Sequence, residues 1–308
     1  MGSADQAGMG TSKKNSNSWK LDWDGYLYIL PAFVIIAVFH IFPVLYAFVM
    51  SFFDWNVMSG KSVFVGLSNY KEIFEDPMFR KAFWNTIYYV VVTVPLGIAA
   101  SLFVAILLNQ KIKLRGFYRV LYFLPVVTSL NAVSVVWKWI YHPTYGLLNA
   151  FLKKIGLPPV DWLGDPRFAM PAIILMSVWK NMGYNVVIFL AALQNVPKEL
   201  YESAEIDGAG AWAKFWNVTV PMISPTLFFV IITSVIASFQ VFAQIWIMTP
   251  EGGPLGSTTV LVYYLYQQAF QRFRMGYGCA LAFVIFIILA AFSFLQKKIG
   301  ERKVHYEV

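Results

Sequence analysis

Residues 197–225, PKELYESAEIDGAGAWAKFWNVTVPMISP, lie between two long apolar segments yet are too polar to sit in hydrocarbon. Pro197 suits the first turn of a helix, where a missing N–H costs nothing. Glu199, Glu202 and Glu205 recur every third residue and place acid near that helix's N-terminus, as its dipole favours. Leu200, Tyr201 and Ala204 form the apolar side. Asp207-Gly208 reads as a break, because glycine adopts backbone shapes that other residues resist. A second short helix follows, with Trp212, Phe215 and Trp216 at i, i+3, i+4. Pro221 and Pro225 mark entry into the next apolar run.

The rest of the 308-residue chain explains why a polar interruption matters. It is 58% hydrophobic, 18% aromatic and only 13% charged, and a soluble domain carries about twice that charge. Six apolar runs each exceed the ~20 residues needed to cross ~30 Å of hydrocarbon. They cover 26–53, 82–108, 117–141, 168–193, 222–248 and 275–296, with His40 and Pro43 interrupting the first and Pro95 inside the second. The first is too long for the core of a cleavable signal. The predicted fold class is therefore an all-α integral membrane protein: a six-span domain over 25–298 between polar tails at 1–24 and 299–308. The tail at 1–18 is Gly-, Ser- and Asn-rich and reads as disordered.

Six spans put both termini on one side. With that side cytosolic, cytosolic segments hold 13 Lys and Arg against 9 outside. The short connector 109–119 favours this orientation, since Lys111, Lys113, Arg115 and Arg119 face no acidic residue within it. The formal charge of +8 thus follows the membrane rule, and nucleic acid is not a partner. Cys279 is the sole cysteine, which excludes an internal disulfide, and His40, His142 and His305 are too scattered to hold a metal. Gly60-Lys61-Ser62 echoes a phosphate-binding loop, but the glycine that pattern needs at position 55 is Trp55. The chain binds no nucleotide by that route.

Glu202-Ser203-Ala204, Asp207-Gly208-Ala209, Phe215, Val218, Pro221 and Pro225 together resemble the EAA loop of inner-membrane permease subunits of binding-protein-dependent ABC importers. Ser203 stands where that family usually has Ala, and both are small. Leu193-Gln194-Asn195-Val196-Pro197, Gly252-Gly253-Pro254 and the stretch from Trp137 to Asn149 are similar to the sugar-importer branch, of maltose/oligosaccharide type. The resemblance implies a non-catalytic subunit in a bacterial or archaeal cell membrane. Its partners would be a second homologous permease, two ATPase subunits carrying ATP and Mg, an extracytoplasmic substrate-binding protein and membrane lipid. This chain itself would bind no cofactor. The loop 197–221 would be the coupling element, with Glu202, Ser203, Ala204, Asp207 and Gly208 meeting a groove on the ATPase. Trp212, Phe215 and Trp216 would anchor the loop to its own membrane helices.

Polar groups inside spans need an interior-facing reason. Asn181, Tyr184 and Asn185 share a face at i, i+3, i+4. Ser234 and Ser238 share another, and Gln240 and Gln244 a third. Amides, hydroxyls and rings suit a sugar, and the resemblance points to Asn181, Tyr184, Ser234 and Ser238. Helix–helix hydrogen bonding is the competing role for all of them. Lys180, the ionisable residue well inside a span, is open to three readings: an anionic substrate, snorkelling, or a pair with the second permease. Two other classes fit less well. A stand-alone secondary transporter or channel needs intramembrane acids for a coupling ion, and spans two to six lack them. A lipid-linked-sugar transferase needs a charged catalytic cluster at one interface.

Overall fold

In a computed structural model, residues 23–300 are described apart from 57, 59, 111 and 112. Both polar tails expected from the sequence lie largely outside these residues. The chain divides into two units, 1–46 and 47–308. In the first, an α-helix Trp23–Ile36 runs into a π-turn Ala37–Ile41. There the Phe42 N–H reaches back five residues to the Ala37 carbonyl, and Pro43, with no N–H to give, follows at once. The helix is not interrupted at His40 and Pro43; its register slips by one residue.

The second unit is built on two long helices that lie side by side. Pro77–Asn109 begins with Pro77 in its first turn and the Asp76 carboxylate accepting the Met78 N–H at 2.8 Å. Pro166–Gln194 repeats the device, with Asp165 accepting the Arg167 N–H at 2.8 Å. Their shared seam is apolar. Leu102, Ala105 and Leu108 meet Val186, Phe189 and Leu193 at one end, and Tyr89 meets Ile173 and Met176 at the other. A third long helix, Met275–Gly300, packs Tyr277, Ala280 and Leu281 against Ile73, Phe79 and Ala82. Each long helix contains the run expected for it and extends beyond that run.

The third and fifth expected spans are not continuous. Arg115–Val127 and Leu130–Ile140 meet at 98°, because Thr128 and Ser129 are extended and follow Pro125 closely. Ala211–Met222 and Ser224–Phe239 meet at 71° about Ile223. The latter helix then stops, since Phe242 has φ −146° and ψ −64°, and a new turn runs Ala243–Met248. Gln240 and Gln244 therefore do not share a helix face. Among the described residues, four uninterrupted helices are long and apolar enough to cross a membrane, or six if each bent pair is one span.

At the end of the second unit opposite the acidic loop, the connections are ordered by side chains. A short hairpin pairs Phe53–Asn56 with Lys61–Phe64, a strand element the all-α expectation did not include. Asn149 is fully buried and donates to the Pro143 and Val160 carbonyls while accepting from Val160 N–H and Trp162 Nε1–H. Arg274 pairs with Glu72 at 2.6 Å, and Asp76 accepts from the hydroxyls of Tyr264 and Tyr277.

Candidate functional site

A cavity of about 350 Å³ opens where Pro77–Asn109, Pro166–Gln194 and Ser224–Phe239 converge. Such a volume is within the range of small-molecule sites. Asn181, Tyr184, Asn185, Ser234 and Ser238 all line it, so two stretches some fifty residues apart in sequence face one space. Gln240 does not; it is exposed at the end of its helix. Gln244 lines the cavity instead, carried there by the break at Phe242.

The cavity also carries Tyr89, Thr93 and Ser177, which the sequence reading passed over. The Gln244 side-chain amide donates to the Tyr89 hydroxyl at 3.3 Å and to the Ser177 hydroxyl at 3.5 Å. All three side chains are buried, as is the hydroxyl of Thr93 beside them. Val94, Gly97, Val126, Val178 and Met182 supply apolar wall between these groups. Among the described residues no charged side chain lines the space. Amide and hydroxyl donors alternate with apolar patches, a surface matched to a solute bearing hydroxyls and C–H faces.

Lys180 neighbours the cavity without lining it. It is 7% exposed, and its Nζ donates to the Val126 carbonyl at 3.0 Å.

The acidic loop continues from the end of Pro166–Gln194. Lys198–Ile206 is its first helix, with Pro197 just before the first turn rather than in it. The helix ends as the sequence requires. Gly208 has φ +78°, its N–H bonds the Glu205 carbonyl at 3.0 Å, and the Ala209 N–H bonds the Ala204 carbonyl at 2.8 Å. Glu199, Glu202, Ser203, Asp207 and Gly208 are exposed, and Ala204 is half-buried. Glu205 bridges to Lys214 at 3.1 Å, which ties the two helices of the loop together.

Its attachment differs from expectation. Tyr201, Phe215 and Val218 pack on the Leu108–Leu193 seam, and the Tyr201 hydroxyl lies 3.0 Å from that of Thr219. Trp212 and Trp216 are 74% and 51% exposed and rest edge-on against each other. Leu200, expected on the apolar side, is also exposed. The loop is held by Tyr201, Phe215 and Val218, and its tryptophans face outward.

A bundle of long apolar helices enclosing an uncharged polar cavity, with a folded acidic loop at one end, defines the chain as a multi-pass membrane permease subunit. More particularly, it belongs to the family described as the binding-protein-dependent transport system inner membrane component, which matches residues 73–305. Among curated relatives, the probable ABC transporter permease protein YurN of Bacillus subtilis is 37% identical over 89% of this chain and 94% of its own length. The lactose transport system permease protein LacF of Rhizobium radiobacter is also 37% identical, over 94% and 97%. The sn-glycerol-3-phosphate transport system permease protein UgpA of Pectobacterium atrosepticum is 32% identical, over 94% and 98%. Among solved structures, a bacterial ABC transporter that imports the acidic polysaccharide alginate superposes with a TM-score of 0.80. It is 24% identical and covers 91% of this chain and 96% of its own, so it establishes the shared fold.

Proposed function

We propose that this chain is the permease subunit of an ATP-driven importer for a carbohydrate, and that the solute passes through the cavity at Asn181, Tyr184, Asn185, Ser234 and Ser238. The observation that carries the reading is the meeting of two independently predicted polar faces on one uncharged cavity, between the helices that flank the acidic loop. Relatives named for lactose, arabinooligosaccharides and glycerol phosphate support the solute class.

In this reading the loop faces the cytosol, as the basic connector 109–119 favours. Glu202 meets an arginine or backbone donor on an ATPase subunit, and Ala204 permits close approach. ATP-driven closure of two such subunits moves the loop and switches the pathway between its two openings. A second permease and a binding protein outside complete the machine. The chain catalyses nothing itself.

The test is import by vesicles holding this chain with its partner subunits. Glu202→Ala removes the charge contact, and losing one partner of a buried charged hydrogen bond costs about 2–5 kcal/mol. Gly208→Asp puts a side chain and a further negative charge at a turn whose φ of +78° favours glycine. Both variants should keep the membrane fold and lose most ATP-dependent import. Wild-type import by both would remove the assignment.

A further inference from the structure

A helix that ends at a break in an apolar run leaves its last four carbonyls without intrahelical partners. Arg115–Val127 is such a helix, ending at the 98° break. Side chains account for two of the four. The Thr128 hydroxyl donates to the Leu124 carbonyl at 2.9 Å, and Lys180 Nζ donates to the Val126 carbonyl at 3.0 Å.

Lys180 comes from the neighbouring helix Pro166–Gln194, and among the described residues no carboxylate pairs with it. Its positive charge meets the negative end of a helix dipole, worth roughly half an elementary charge. One turn further along, Gly183 brings the two backbones into contact; a Cβ there would fall 2.1 Å from the Tyr122 carbonyl oxygen. The join is adjacent to the solute path: Val126 lines the cavity on one side of it, and Ser177 and Asn181 line the cavity on the other.

We propose that Lys180 is a positioning residue: its ammonium caps the free carbonyl end of the broken span and holds Val126 in the cavity wall, and it does not contact the solute. The role deepens the carbohydrate reading, since a lysine engaged this way leaves this chain's share of the cavity uncharged.

The experiment uses the full complex in nanodiscs, with Cys279→Ser and spin labels at positions 127 and 187, both exposed. The interspin distance distribution should be narrow in the parent and in Lys180→Arg, and broad in Lys180→Met. Import of a neutral disaccharide should follow: Lys180→Met raises half-saturation about tenfold, the scale of one lost charged hydrogen bond, with maximal rate less affected. Lys180→Arg restores it. Should Lys180→Met fail to assemble, Lys180→Gln, which keeps a donor and drops the charge, is expected to fall between the two in label breadth.

Unchanged distances in Lys180→Met, or in Lys180→Gln where Met fails, overturn the proposal. So does selective loss of uptake of a uronate or sugar phosphate with neutral uptake intact, which would make Lys180 an anion ligand. Loss of the second permease on purification, with distances unchanged, overturns it in favour of an intersubunit pair. The distance measurement needs no transport. If the assembled complex imports no sugar at all, the function fails while this claim is still decided.

Discussion

Gln244 and Gln240 are four residues apart in a run with neither Gly nor Pro between Thr226 and Thr249, so nothing local announces that the helix ends between them. The break at Phe242 sends one glutamine into the cavity and leaves the other exposed. Gln244→Leu would strip the Tyr89 and Ser177 hydroxyls of their amide partner in apolar surroundings. Unsatisfied buried groups cost about 1–3 kcal/mol, and half-saturation for sugar uptake should rise severalfold. Gln240→Leu should stay within about 0.5 kcal/mol of the parent, as exposed substitutions do. Uptake kinetics of the two variants side by side check this, and equal effects would count against the cavity. The polar faces at Asn181, Tyr184 and Asn185 and at Ser234 and Ser238 were legible from helical spacing alone. Tyr89 and Thr93 were not, because Tyr88 and the valines around them dilute the signal. Thr86, Tyr89 and Thr93 do recur at i, i+3, i+7, and that stripe is the mark a closer reading would use.

Among the elements, spans were easy to locate and hard to delimit. Apolar content put the second and fourth starts at 82 and 168, yet both helices begin earlier, at an Asp-Pro pair that caps the first turn. Those pairs, Asp76-Pro77 and Asp165-Pro166, were in plain view. The broken third span was hidden for a different reason: hydrophobicity records that a segment avoids water, not the direction it takes. Its direction is set by contact with Pro166–Gln194 at Gly183. Gly183→Val should therefore push the helices apart, at about 1–3 kcal/mol for overpacking. Gly116→Ala, where a Cβ meets nothing within 4 Å, should leave stability unchanged or slightly raised. Thermal midpoints of the purified complex separate the two. A Gly183→Val midpoint equal to the parent's would mean the backbones do not touch there.

For the molecule as a whole, the acidic loop is one continuation of the same helix whose polar face lines the cavity, Pro166–Gln194 leading directly into Lys198–Ile206. In the proposed mechanism a push on the loop would reach the cavity wall through the last turns of that helix, from Gln194 back to Asn185. The loop's fold was readable because its punctuation is strong: Pro197 before the first helix and Gly208 after it. Its attachment was not, since Trp212, Phe215 and Trp216 share one helical face and only packing shows that Phe215 faces the bundle. In the proposed function this loop sits on the cytosolic side and is gripped by an ATPase. With Cys279→Ser as background, Glu202→Cys places a single thiol on the exposed face of the loop. In intact cells that thiol should resist a membrane-impermeant reagent and, in the assembled complex, form a cross-link to the ATPase subunit. Ready labelling from outside, or no cross-link under any nucleotide condition, would rule out a cytosolic loop held by an ATPase.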